Sequence, residues 1–418
     1  LITAAILFVV LLLLASHWPE SVLLTAPWKG QPPHNSWYGA AWQYRQKITV
    51  DGSNVDGTSP LENFPLLVSA TLADWRSAGA GGKVGRSDGG DILFTAADGV
   101  SKLDHEVEAY SGTTGELVAW VRIPVLAAGA DTELYMYYGN AAARAQQNRG
   151  GVWDPSYRGV WHLNESDPSS QGGADSTANG ATGAPVGSIR AYAGKLGGAF
   201  DFTADGNYLS HGNPEALRLY GAMTASFWIN PLNYTNTGAV IGKQSGEGAR
   251  GWVVRLDSYG GINFNIAVDS NNIVSVYSAI LPLDTWSYVT AVYEPGVALR
   301  LYVNGLPDGV QSDGVPPSQY DNGQSMLIGK RNGCDPCEID GRLDEVRLQG
   351  AVRSQPWIAA EYRNQASPGS FYTIGGPMTA TPISTPTHRP TATDTAAPAP
   401  PIQMFAPIVR TGARRRPG

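Results

Sequence analysis

Apolar and polar residues alternate with a period of two along many short runs of this chain, and glycine, asparagine or aspartate breaks the runs. In Tyr44, Gln46, Ile48 and Val50 every second residue shares a face, and the run ends at Asp51-Gly52. A repeat of two belongs to a strand with one buried face, because successive strand side chains point to opposite sides. Further runs are Phe64–Ser69, Asp91–Thr95, Leu117–Ile123 and Thr132–Tyr138. They continue with Met223–Ile229, Trp252–Leu256, Ile262–Ile266, Trp286–Tyr293, Leu299–Val303 and Leu343–Leu348. Asn304-Gly305 is a strong hairpin signal, since both turn positions need positive φ. Helical periodicity is confined to Ala141–Gln147 and to Ser354–Arg363, where Trp357 and Tyr362 are expected to cover core. The pattern predicts an all-β chain of two consecutive antiparallel β-sandwich (jelly-roll) domains, at about 37–150 and 155–375.

Composition agrees where it bears on this. The 418 residues include 50 glycines and 29 prolines, with only 16% charged side chains. That suits short strands and many turns, and the length suits two or three domains. A net charge of −7 argues against a nucleic-acid partner, which calls for a basic face. The one basic cluster, Arg410, Arg414, Arg415 and Arg416, sits in the C-terminal stretch.

Residues 1–26 open with fifteen uncharged, mostly apolar positions, expected to form a helix that is either a signal peptide or a membrane anchor. Either places the following domains at the cell surface or outside the cell, with the membrane touched only through this segment. Residues 376–418 read as a disordered Pro/Thr-rich linker with a basic tail. Pro377–Pro401 carries seven prolines and seven threonines, too little apolar surface to fold.

Trp42–Val50, Asn63–Val68, Asp88–Thr95, Lys102–Glu108, Ala119–Pro124 and Tyr135–Asn140, in that order, resemble a prokaryotic surface-protein domain of unknown function. The resemblance carries no catalytic residue. Gly198–Phe202, Phe227–Ile229, Thr285–Val289, Leu299–Gly305 and Gly341–Leu348 resemble the laminin-G-like jelly roll of the concanavalin A-like lectin/glucanase superfamily. That fold hosts lectins, adhesins, glucanases and spacers, so it implies architecture more than activity.

The candidate sites follow. The glucanases of that superfamily carry three acidic residues on one strand, two of them flanking the scissile bond. Glu338-Ile-Asp340 begins such a motif, but Arg342 and Leu343 stand where the third acid belongs, so no catalytic residue is expected. The resemblance also implies a structural calcium ion at the sandwich rim, matched here by Asp175, Asn179 and Asp344. The alternative is that Asp175 caps a loop and Asp344 accepts from backbone amides. Cys334-Asp-Pro-Cys337 lacks the second pair of ligands that zinc needs and is expected as a small disulfide. Tyr220, Tyr234, Tyr259 and Tyr320, in loops, are candidates for stacking on sugars. His105–Glu108 lacks the second histidine of a zinc helix, and Asp104, Glu106 and Glu108 read as the solvated face of a strand. Gly79–Lys83 lacks the residues of a phosphate loop and reads as a flexible turn.

A non-catalytic surface module is therefore expected, binding an extracellular polysaccharide or matrix polymer through the second domain. A stalk or surface-layer module without a ligand is the alternative, and a glycoside hydrolase a further one.

Overall fold

The first strand, Tyr44–Val50, shows how the alternation is used. Ile48 and Val50 enter the core while Lys47 and Thr49 stay partly exposed. This strand pairs with Thr132–Tyr138, which pairs with Leu93–Ala96 and through it with Lys102–Leu103. A second, three-stranded sheet runs in the order Leu61–Thr71, Glu116–Leu126, His105–Ser111. Phe64, Leu66, Val68, Trp75, Phe94, Leu134 and Met136 fill the space between the two sheets. The structure is a computed structural model, and it describes residues 37–235, 237–245 and 250–380. The expected N-terminal helix and residues 381–418 lie outside the described residues. No helix among the described residues is long and apolar enough to cross a membrane.

The second sandwich is larger. An eight-stranded antiparallel sheet is centred on Met223–Pro231, which lies between Ser287–Glu294 and Gly341–Gln349. A seven-stranded sheet faces it, in the order Ile273–Ile280, Gly261–Ala267, Val253–Leu256, Ala239–Gly242, Leu327–Ile328, Tyr208–Ser210, Ala184–Val186. Phe200, Phe227, Ile229, Val254, Phe264, Val289, Leu301 and Leu343 are among the side chains buried between them. Asn304 and Gly305 take φ of 50° and 77°, as the hairpin at that position requires.

Two expectations about domain limits are corrected. Tyr372–Ile374 does not close the second domain; it pairs with Tyr44–Val50 at the edge of the first sandwich. Met378 and Thr379, assigned to the unstructured linker, pair with Arg45 and Tyr44. The second sandwich is thus inserted between strands of the first. The helix Gln355–Ala366, N-capped by Ser354, carries the chain back. Its Trp357 joins the first core, while Ile358 packs on Val292 and Tyr302 of the second sandwich. Tyr362 lies against Trp228 and Tyr288. Asn364 exchanges two hydrogen bonds with the Leu67 backbone, at 2.7 and 3.0 Å, and Arg363 forks onto Asp56 at 2.8 and 2.9 Å. Ala141–Gln147, weighed as a helix, is extended or turn-like, and Ala78–Ala80 forms a short 3-10 turn.

Candidate functional site

On the outer face of the seven-stranded sheet, register sets a row of three polar side chains. Val254, Leu256, Ile262, Phe264 and Val276 point into the core, so their neighbours Arg255, Asn263 and Tyr277 point away. Arg255 pairs with Asn263, and Asn263 with Tyr277. The Arg255 Nε donates to Asn263 Oδ1 at 3.0 Å; Asn263 is buried and Arg255 mostly so, while Tyr277 is 57% exposed, an open aromatic residue at the end of the row. The neighbouring row crosses all seven strands as Ser275, Asn265, Val253, Gly242, Leu327, Ser210 and Ala184, with no side chain larger than leucine.

Cations gather at this face. Burial, then the charges of Arg255 and Arg250, lower the proton affinity of Arg331. The Nε atoms of Arg250 and Arg331 and the Oδ1 of Asn265 are buried without a hydrogen-bond partner. Lys330 lies 5.6 Å from the centre of the Tyr208 ring. The Cys334–Cys337 disulfide is present, with Cα atoms 5.5 Å apart, and the Arg331 guanidinium contacts both sulfurs at 3.0 and 3.4 Å.

The other expected residues are placed as follows. Asp175 Oδ1 accepts from the backbone nitrogens of Val160 and Thr177 at 3.0 and 2.9 Å. Its Oδ2 accepts from Thr177 Oγ1 and Ala181 N, both at 2.8 Å. Asn179 donates to the carbonyls of Tyr157 and Arg158. Asp344 accepts from Leu196 N at 2.8 Å, and burial and then the Glu345 charge push its carboxyl well above the usual range. Asp175 thus accepts from three backbone nitrogens and one hydroxyl, and Asp344 from one backbone nitrogen, with its Oδ1 buried without a partner. Glu338 is held by Lys330 at 2.5 Å, and Asp340 by Asn233. Tyr220, Tyr259 and Tyr320 are exposed, but Tyr234 is not a free platform: it packs on the core and donates to Leu281 O.

A second polar cluster was missed by pattern reading. Glu106 and Glu108 are not solvated; their side chains are 4% and 0% exposed, because the second sandwich covers that face of His105–Ser111. His162 Nδ1 lies 2.6 Å from Glu345 and 3.6 Å from Glu108, and its Nε2 lies 3.4 Å from Glu106. Arg347, fully buried, bridges Glu345 at 2.6 Å and Glu361 at 2.7 Å and lies over the rings of Trp120 and Trp153. Trp120 donates to Glu108 and Trp153 to Glu106. Burial lowers the proton affinity of His162, but Glu345, Glu108 and Glu106 outweigh it and hold the imidazole well above its ordinary value. Burial and the Glu345 charge push Glu108 up to about 8. A cavity of about 70 Å³, lined by Glu106, Glu108, Arg149, His162 and Ser176 among others, adjoins the cluster. This volume suits water rather than a sugar.

Residues 203–359 match the family model of the concanavalin A-like lectin/glucanases superfamily, and residues 88–158 match a domain of unknown function, DUF2341. The two follow one another in the order expected from their motifs. No curated protein matches the chain. Among solved structures, the binding domain of Paraclostridial Mosquitocidal Protein 1 is 13% identical, with 50% of this chain and 52% of that chain covered and a TM-score of 0.42. The receptor binding domain of botulinum neurotoxin D is 16% identical, with 50% and 53% covered and a TM-score of 0.40. This chain thus spans about half the length of these two. Domain 4 of an extracellular arabinanase from Geobacillus stearothermophilus, solved in complex with arabinotriose, is 19% identical, with 50% and 98% covered and a TM-score of 0.38.

Proposed function

We propose that this chain is a non-catalytic extracellular binding module, and that the outer face of its seven-stranded sheet takes a carbohydrate or matrix polymer. The observation that carries the reading is the row Arg255–Asn263–Tyr277. An exposed tyrosine ring offers a flat apolar face with a polar rim, matched to the C–H face of a pyranose. The Arg255 guanidinium beside it, 20% exposed and held in place by the buried Asn263, offers donors for hydroxyl or carboxylate groups. The concanavalin A-like match over residues 203–359 is consistent with this and does not name the ligand.

The absence of a third acid, with Arg342 and Leu343 in its place, supports a chain without hydrolytic activity. The apolar segment at residues 1–26 supports placement outside the cytoplasm.

A glycan array spanning neutral and acidic polysaccharides tests the reading, with Tyr277→Ala and Arg255→Ala as partners to the wild type. Binding lost in both variants while folding is kept supports the site. A wild type that binds nothing, with and without calcium, favours the ligand-free stalk.

A further inference from the structure

Away from the proposed glycan row, one buried amine sits beside a carboxamide and a carboxyl. Lys243 Nζ is 2.7 Å from Asn213 Oδ1 and 2.8 Å from Asp321 Oδ1. The lysine side chain is 2% exposed and that of the aspartate 13%. Asn213 Nδ2 donates to the Gly323 carbonyl at 3.1 Å, which fixes the plane of its amide. The Lys243 backbone is itself tied down, with its nitrogen donating to Trp252 O at 2.8 Å and its carbonyl accepting from Asn322 Nδ2. The three groups come from three separate segments, and nothing in the proposed ligand site uses them.

We propose that Lys243 and Asn213 form an intramolecular isopeptide bond, with Asp321 as the proton carrier. The Lys243 ammonium passes a proton to the Asp321 carboxylate. The freed Nζ attacks the Asn213 side-chain carbonyl carbon, and the Asp321 acid donates to the developing oxyanion. Proton transfer to Nδ2 then lets the carbon–nitrogen bond break and ammonia leave. An amine and a primary amide become a secondary amide and ammonia, with no oxidant, reductant or cofactor consumed.

Two features favour this step over a resting ion pair. Holding nucleophile and electrophile together replaces a bimolecular encounter with a unimolecular one. Asn213 is followed by Pro214, which has no backbone N–H, so the usual cyclisation of asparagine onto the next residue is closed. Burial raises the Asp321 carboxyl, but the hydrogen bond from Lys243 outweighs it, so the unreacted pair rests as ammonium and carboxylate. The reactive neutral pair is a minority form, and bond formation is a slow, single-turnover event after folding.

The location also fits a staple. Tyr208–Ser210 and Ala239–Gly242 are joined only through Leu327–Ile328, a strand of two residues. A covalent link from 213 to 243 ties the two sides of this narrow joint.

The test is the mass of the purified full chain after disulfide reduction, followed by a tryptic map. The bond is expected to remove about 17 Da, one ammonia, and to give a branched peptide joining Asn213 to Lys243 with no cleavage after Lys243. Lys243→Arg and Asn213→Asp are expected to restore the full mass. Asp321→Asn is expected to restore it while leaving circular dichroism unchanged. If this variant misfolds, Asp321→Glu is expected to regain the link slowly. A wild-type chain at full mass with an ordinary peptide ending at Lys243 overturns the proposal and leaves an ion pair only.

Discussion

Glu108 lies where one added negative charge has most to repel, and neutralising it should flatten the pH dependence of stability. Its carboxyl faces His162 and Glu345 of the second sandwich, Trp120 of its own sheet and Asn164, with Glu106, Arg149 and Arg347 close by. Folding raises it from the ordinary 4.5 to about 8, through burial first and the Glu345 charge second. The folded chain therefore binds this proton more tightly than the unfolded chain. The stability this provides is full below pH 4.5 and is lost as pH rises through about 8. Within that window the loss is about 1.4 kcal/mol per pH unit, so about 4 kcal/mol disappears between pH 5 and pH 8. Glu108→Gln keeps the shape and still accepts from Trp120, and Asn164 can turn its amide to accept in exchange. Urea unfolding at pH 5 and pH 8, followed by tryptophan fluorescence, is the assay, since Trp120 and Trp153 both touch the cluster. The wild type should lose more stability than Glu108→Gln across this interval, by an amount on the order of 4 kcal/mol. The Glu108 charge also raises His162 and Asp344, so the difference reads the coupled cluster rather than one carboxyl alone. Parallel losses in the two proteins would refute the reasoning.

Arg347→Ala should cost about 3–5 kcal/mol in denaturant unfolding, because it leaves Glu361 buried without its cation and Glu345 with His162 alone; adding Glu361→Gln should recover part of that loss. Replacing Cys334 and Cys337 together by serine should cost about 2 kcal/mol or less, since so short a ring restricts the unfolded chain little; a larger loss would give the disulfide a role in shaping the Arg331 loop. The melting temperature should be the same in EDTA and in millimolar calcium, because both Asp175 oxygens are already engaged by donors of their own loop, whereas an upward shift would restore the ion.

The β-sandwich architecture was legible because alternation is a local property. Each strand carries its own record of which face is apolar, and Asn304-Gly305 carries its own turn. What covers the other face is not local. Asp104, Glu106 and Glu108 alternate as a solvated strand face would, yet the last two are sealed by residues more than fifty positions away. The single available signal was an excess of acids facing His162 and Arg347 in the second half, meaningful only once the halves are docked. The return strand Tyr372–Ile374 was missed for a related reason. Three residues are too few to show a period, and the strand is held by pairing with Ile48–Val50. Lys243, Asn213 and Asp321 carry no motif at all, since three loops bring them together.

The junction between the sandwiches combines an apolar cluster, in which Leu67, Val118 and Trp120 meet Trp153, Tyr157, Val160 and Leu196, with a buried charged network, and the network is what gives it direction. The chain leaves the first sandwich after Thr132–Tyr138 and re-enters it at Tyr372–Ile374, so the two neighbours of Tyr44–Val50 come from opposite sides of the insertion. An apolar junction would bury area between the sandwiches in any orientation, because apolar contact is non-directional. Charged hydrogen bonds behave differently: a slipped orientation leaves Glu106, Glu108 or Arg347 buried and unpaired, a large penalty. The His162–Glu345–Arg347–Glu361 chain, with Trp120 and Trp153 on its flanks, thus acts as a register for docking. Tyr44 and Thr379 pair directly, so the described chain enters and leaves side by side on the first sandwich. The second sandwich is connected to the first by residues 139–156 and by the helix Gln355–Ala366, and it is docked through the buried cluster. A sandwich held through a directional junction is fixed in orientation relative to the first, because each slipped arrangement strands a buried charge.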